Sequence, residues 1–377
     1  MNSEVRSFLE KHDLLGCIQC GRCTGGCPVA ARTDLNVRRL IYESMDEKML
    51  DKISKLPQIW DCTTCSTCAV RCPKGLKPLE VLIGLREVLV ESGMVQPTVR
   101  DALESVFQEG NPWKKPRATR LDWAEGLEVK IAKPGEKVEN LIFICCTVAY
   151  DPKLQDIARN LVKVLNKAEV DYGLVGDGEM CCSSEVYSLG EAGLFEMMVE
   201  DNTELLNSFA VNRIVTISPH CYSTFKNQHP LLKMESVHYT HLLCKLLAEG
   251  KLELTKEVSR KVVFHDPCYL GKKNSVFEEP RFILKQVPGM EILEFARKRE
   301  RSLCCEGGGG KMWVETESLK ERLAENRIKD ARALGADVLA VACPFCILTL
   351  DDALKAKGLE EEMKVVDILE ILNEAAG

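Results

Sequence analysis

A chain of 377 residues, 45% hydrophobic and 28% charged, is long enough for two or three domains with their own cores and is ordinary for a globular protein. A net charge of −7 gives no basic surface for nucleic acid, and no apolar run reaches the roughly 18–20 residues that span a bilayer. Eight of the 19 cysteines fall in tight C-x2-C groups, and Met1-Asn2-Ser3-Glu4-Val5-Arg6 opens no leader pattern, so metal ligation in a reducing cytoplasm is expected rather than a disulfide framework.

Taken in order, the chain first offers Cys17-x2-Cys20-x2-Cys23-x3-Cys27-Pro28 and then repeats it as Cys62-x2-Cys65-x2-Cys68-x3-Cys72-Pro73. In such runs three cysteines wrap one 4Fe–4S cube and the fourth crosses to the other. The expected sets are therefore Cys17, Cys20, Cys23 and Cys72, and Cys62, Cys65, Cys68 and Cys27. Paired zinc ribbons also use C-x2-C, but not a repeated quartet with this spacing. Between the quartets Val37, Leu40, Ile41, Met45, Met49, Ile53 and Leu56 recur at helical spacing, with Asp34 as the expected N-cap, so two helices link them. A further helix carries Leu79 to Leu89, with Pro78 near its start and Gly93 beyond its end. Residues 1–109 are thus expected to form an α-helical ferredoxin domain.

Residues 110–137 are rich in turn formers and are expected to be a linker. Their Lys114, Lys115, Arg117 and Arg120 would face solvent or hold an anionic group, the solvated face being the expected role.

From residue 138 strands and helices alternate: strands at 140–146, 213–217, 261–265 and 337–342, and helices at 154–165, 219–226, 318–334 and 344–354. That alternation predicts α/β layers with mostly parallel sheets. The region is also an internal duplication, 138–258 and 259–377. The first copy carries Cys146, then Cys181-Cys182-Ser183, then Ser218-Pro219-His220-Cys221; the second carries Cys268, then Cys304-Cys305-Glu306, then Cys343-Pro344-Phe345-Cys346. Each group follows a strand, where ligands converge in α/β sheets. Ser218 stands where Cys343 stands, so the second copy has five thiols of the pattern and the first four.

At these residues the sequence resembles the cysteine-rich CCG family, which includes catalytic subunits of heterodisulfide reductases and iron–sulfur subunits of glycolate and lactate oxidation systems. The ferredoxin part resembles the small electron-transfer subunit of heterodisulfide reductase. The resemblance implies an α+β multidomain protein with a duplicated CCG domain behind the ferredoxin domain. It also implies a noncubane 4Fe–4S cluster on Cys268, Cys304, Cys305, Cys343 and Cys346, at which a disulfide is cleaved. The first module departs from the pattern because a hydroxyl is a poor ligand for soft metals. It is expected to bind a cubane through Cys146, Cys181, Cys182 and Cys221, to hold zinc, or to stand metal-free, ligand softness favouring the last two.

Several single residues carry weaker expectations. Cys145 precedes Cys146 in a predicted strand, so its side chain should point to the opposite face and into the core. Cys244 fits a small buried hydrophobe, and His238 with His241 fits core or surface better than a metal pair. His220 and His265, each close to an expected ligand, are candidates for proton transfer. Glu306 would tune the cluster, deliver a proton or face solvent. The Gly307–Gly310 run lacks the phosphate-loop frame; it should bring backbone N–H groups to cluster sulfides and open a substrate path, with Lys311 pairing an anionic substrate.

The expected function is an iron–sulfur oxidoreductase. Electrons from a flavoprotein or a membrane b-type cytochrome would cross two cubane clusters to the noncubane one, which cleaves a heterodisulfide of the coenzyme M–coenzyme B type. The alternative is a relay between a flavin dehydrogenase or electron-transfer flavoprotein and a quinone or membrane cytochrome. A zinc-stapled scaffold is the third reading. Any membrane work would be peripheral, at the inner face, through a partner.

Overall fold

The computed structural model describes residues 3–316 and 321–377. Its N-terminal part is helical, with helices Ser3–Lys11, Val37–Glu43, Met49–Ile53, Pro78–Glu91 and Pro97–Glu109. Pro78 and Pro97 open their helices, where a missing N–H costs nothing. Asn36, not Asp34, caps the helix Val37–Glu43: its side-chain oxygen accepts from Arg39 N–H at 3.0 Å. Two one-turn helices, Arg22–Gly25 and Thr67–Val70, pack together and carry the third cysteine of each run, Cys23 and Cys68.

Lys114, Lys115 and Arg117 are exposed, while other residues of 110–137 are anchored in the fold. The Asn111 side chain is fully buried and hydrogen-bonds Lys115 O and Trp113 N–H. Trp123 is buried, Trp113 stacks obliquely on Trp313 at 5.0 Å, and Ala132 N–H donates to Leu174 O at 2.9 Å. Arg120, one of the four expected surface cations, is buried in an ion pair with Glu179. Its planar fork suits a buried carboxylate, which explains why the charge left the surface.

The rest is two copies of one layered unit. The first sheet consists of β1 (Asn140–Phe143), β2 (Tyr172–Leu174), β3 (Arg213–Thr216) and β4 (Glu235–His238), in the order β2-β1-β3-β4. The second consists of β5 (Lys261–Phe264), β6 (Glu291–Leu293), β7 (Val338–Val341) and β8 (Lys364–Asp367), in the order β6-β5-β7-β8. All pairings are parallel, with Ile142 between Leu174 and Val215 and Val263 between Leu293 and Leu339. The central strands are buried throughout or nearly so, as expected for a sheet covered by helices. The expected strands end earlier than anticipated, at Phe143, Thr216, Phe264 and Val341. The expected helix over 318–334 is described as Leu323–Ala333; its residues 318–320 lie outside the described residues.

The two units pack reciprocally. Helix Gln155–Lys167, between β1 and β2, meets helix Ile368–Ala376, which follows β8; helix Glu278–Lys285, between β5 and β6, meets Tyr239–Ala248, which follows β4. Equivalent elements thus exchange partners, as in an isologous dimer written in one chain. Among the described residues no helix is long and apolar enough to cross a membrane.

Candidate metal centre

The first quartet converges. Cys17, Cys20, Cys23 and Cys72 line one cavity walled by Ile18, Ile41, Leu76 and Pro78. Its C-x2-C loop bends through two residues with positive φ, Gln19 and Gly21, and the second loop does the same at the matching Thr64 and Ser66. Left-handed residues of this kind are costly outside glycine and turn successive side chains and amides inward. Cys27 lies with Cys62, Cys65 and Cys68, and burial pushes its thiol up to about 12. Cys72 thus lies with the first three cysteines of the first run, and Cys27 with the first three of the second.

The second α/β unit aligns five buried thiols. Cys268 touches Cys304, Cys304 touches Cys305, Cys305 Sγ lies 3.2 Å from Cys346 Sγ, and Cys346 touches Cys343. All 19 cysteines are among the described residues, and none is in a disulfide. A dry group of soft donors without carboxylates among them suits iron–sulfur ligation. Three contacts lead out of this line. Cys304 meets the Cys65 thiol and, at 3.4 Å, the Thr63 hydroxyl of the helical domain; Cys305 meets His265; Cys343 meets His220.

Glycines make the first of these contacts possible. A Cβ on Gly309 would lie 2.4 Å from Cys62 O, and one on Gly308 would lie 2.9 Å from Thr63 O. The run is therefore a packed seam against the cysteine loop of the helical domain and not an open substrate path. Arg86 fastens the same seam: its buried guanidinium donates to Ile59 O and Cys62 O in the helical domain, Ser188 O in the first unit and Gly309 O in the second. Gly310 N–H donates to Glu185 Oε2 at 2.6 Å. The other oxygen of Glu185 lies 2.7 Å from His220 Nδ1, and the imidazole stacks on Tyr269 with centroids 3.8 Å apart. Burial works against a charge on His220, but Cys343 and Glu185 overcome it and raise its pKa well above the ordinary value.

Beyond Tyr269 opens a cavity of about 450 Å³ shared by all three parts of the molecule, with Lys77, Lys272 and Lys273 and the hydroxyls of Ser66, Ser184 and Ser188 on its wall. Lys273 Nζ sits over the Tyr269 ring at 3.6 Å. Sequence reasoning missed Arg86, Glu185, Tyr269 and Lys273. None has a motif, and each acquires its role only where three domains meet.

The first unit gathers Cys146, Cys181, Cys182 and Cys221, with Cys146 Sγ 3.9 Å from Cys181 Sγ. Cys145 joins them, contrary to expectation. β1 ends at Phe143, so strand alternation no longer governs residue 145; its φ of +77° turns the thiol to Cys146 and Cys221.

The remaining candidates resolve into supporting roles. Glu306 neither faces solvent nor stands free beside the thiols: it pairs with Arg322 Nε at 2.5 Å and accepts from Leu323 N–H, capping the helix that starts there. Lys311 Nζ bonds Thr316 Oγ1. Burial lowers His265, and Arg327 Nε–H donates to its Nδ1 at 3.2 Å, so its hydrogen sits on Nε2. His238 has both ring nitrogens engaged, with Thr240 and Ile217 O, as the core reading anticipated. Cys244 is half-buried.

Known proteins share both parts of this arrangement. The cysteine-rich domain family, CCG, matches residues 141–226 and 262–351, and the 4Fe-4S dicluster domain matches residues 13–76. The chain is 30% identical to one subunit of the dihydromethanophenazine:CoB--CoM heterodisulfide reductase of Methanosarcina mazei, over 97% of this chain and 94% of that protein. It is 30% identical to the EtfAB:quinone oxidoreductase of Syntrophomonas wolfei and 32% identical to the probable iron-sulfur-binding oxidoreductase FadF of Bacillus subtilis, over 98% and 96% of this chain. It spans 59% of the length of each of these two. A crystal structure of a hypothetical protein from Helicobacter pylori shares the fold, with a TM-score of 0.56 and 12% identity over 100% of this chain and 73% of that one.

Proposed function

Because the chain belongs to the CCG-domain iron–sulfur proteins that include a heterodisulfide reductase subunit, we propose that it is an iron–sulfur oxidoreductase that reductively cleaves a disulfide with anionic arms, the coenzyme M–coenzyme B heterodisulfide being the type. Cys17, Cys20, Cys23 and Cys72 would hold one 4Fe–4S cluster, and Cys62, Cys65, Cys68 and Cys27 a second. Cys268, Cys304, Cys305, Cys343 and Cys346 would hold a noncubane cluster. When bound, these groups supply one-electron transfer and, at the five-thiol site, the soft centre at which a sulfur–sulfur bond is split.

The observation that carries the reading is the contact of Cys304 with Cys65 and Thr63; the neighbouring Thr64 hydroxyl bonds Tyr269 at 2.8 Å, and Tyr269 lines the lysine-bearing cavity. Cys65 belongs to the second quartet and Cys304 to the five-thiol line, so adjacent sulfurs join the two proposed clusters. Cleavage of a disulfide consumes two electrons and two protons. His220, bonded to Glu185 and touching Cys343, is the buried group able to hand on a proton at that end of the line. Lys77 and Lys273 would bind carboxylate, sulfonate or phosphate groups of the substrate. Electrons would come from a flavoprotein subunit or a membrane b-type cytochrome, and any membrane association would be peripheral through that partner.

One observation favours a second reading, a relay toward quinone. The relatives named EtfAB:quinone oxidoreductase and FadF match nearly the whole of this chain, though it spans only 59% of each. The test is anaerobic turnover of the iron-replete chain with an artificial one-electron donor. Thiol release from an anionic heterodisulfide, with a thiol-induced paramagnetic signal abolished by Cys304→Ser, is expected. Rapid oxidation of the ferredoxin clusters by a quinone analogue, with no thiol released from any disulfide, would replace cleavage by the relay.

A further inference from the structure

Ser218 looks, by position, like a lost ligand. Its side chain is in fact committed elsewhere: it is the N-cap of helix Pro219–Gln228 and its Oγ accepts from His220 N–H at 3.2 Å. Cys343, at the same place in the second unit, caps its helix without any such bond. The first unit nevertheless contains five thiols, each beside two others. Cys145 touches Cys146 and Cys221, Cys146 touches Cys181, Cys181 touches Cys182, and Cys182 touches Cys221, which closes a ring. All five are at most 6% exposed.

The backbone is built to deliver Cys145. A non-glycine residue at φ +77° is unfavourable, so it persists only where surrounding contacts enforce it. Here Glu179 accepts from the N–H groups of both Ile144 and Cys145, at 2.9 and 3.0 Å, and its charge is met by buried Arg120. On the far side Cys145 O accepts from Ala149 N–H and starts the helix Cys146–Tyr150. A buried ion pair is an expensive way to hold a core hydrophobe. It suits a thiol that has to face Cys146 and Cys221.

We propose that Cys145 replaces the thiol absent at Ser218, so that the first unit holds its own iron–sulfur cluster on Cys145, Cys146, Cys181, Cys182 and Cys221. The donor set is all sulfur, dry and one larger than tetrahedral zinc requires. The assignment goes beyond the proposed reaction and holds equally for cleavage or relay, because it concerns only what this unit binds.

Two measurements on the full chain, reconstituted anaerobically with iron and sulfide, test it. The wild-type chain is expected to carry about sixteen irons, four per cluster for four clusters, with little zinc. A chain with about twelve irons, with or without one zinc, overturns the proposal. Cys145→Ala is expected to lose about four of those irons while keeping the ferredoxin-type EPR signals, which also report that the chain has folded. Adding Ser218→Cys to Cys145→Ala should restore the iron, since it returns a fifth thiol from the end of β3. A Cys145→Ala chain that retains the full iron count removes Cys145 from the ligand set and the proposal with it.

Discussion

The two α/β units share strand order, parallel register and the positions of their cysteine groups, yet they use their sulfurs differently. In the first, five thiols contact one another in a closed ring. In the second, they form an open line whose members reach outward, Cys304 to the ferredoxin loop, Cys305 to His265 and Cys343 to His220. The difference arises at two residues. Ser218 has become a helix cap, and the left-handed Cys145 has entered from the end of β1. Duplication therefore preserved the scaffold, while the contacts around each sulfur group diverged. The first unit also serves the second, since its Glu185 accepts from Gly310 N–H and its His220 meets Cys343 across the junction.

The sharpest way to break this comparison is to disturb the outward contacts. Cys304→Ser should abolish turnover and remove about four irons, leaving the ferredoxin-type EPR signals in place. The same change at Cys182, inside the ring of the first unit, should remove iron without touching the link to Cys65. If both variants lose electron delivery equally, the two sulfur groups are not functionally distinct.

Arg86 comes next. It links carbonyls of all three parts, and removing it leaves buried acceptors without a donor. Arg86→Met should cost about 3 kcal/mol, seen as a lower midpoint in chemical unfolding, and should speed proteolysis between the helical domain and the α/β units. A variant that melts as the wild type does would mean that the glycine seam holds the junction unaided.

His220→Gln keeps a polar side chain beside Glu185 but cannot carry the proton. It should slow turnover on the order of 100-fold with iron content unchanged, and flatten the dependence of rate on pH. An equal effect from His265→Gln would count against His220, because the Arg327 bond fixes His265 in one neutral form.

Much of this is legible in the sequence, for identifiable reasons. The quartets, the doubled cysteines and the alternation of strands and helices are local patterns, and a local pattern survives folding. The strands β2, β4, β6 and β8 escape because they are the sheet edges, where residues such as Glu235, Ser236 and Glu291 dilute the apolar signal. Cys145 is misjudged when alternation is extended two residues past the last paired one, into a turn with positive φ. Its adjacency to Cys146, in the unit that lacks a cysteine at position 218, is the available clue. Arg86, Glu185 and Tyr269 leave no trace, since their roles depend on three segments distant in the chain.

The smallest expected effect sharpens the comparison most. If Ser218 is only a cap, Ser218→Ala should cost about 1 kcal/mol, the usual value of an N-cap hydroxyl, and leave iron, sulfide and EPR signals unchanged. The hydrogen bond it makes is to His220 N–H, so the loss would also loosen the first turn that carries His220 toward Glu185. A modest fall in thermal midpoint with a slight fall in turnover, and no loss of metal, fits a cap. Loss of iron would make the hydroxyl a ligand after all, and the two units would then differ by one donor atom and not by the strand from which their fifth sulfur arrives.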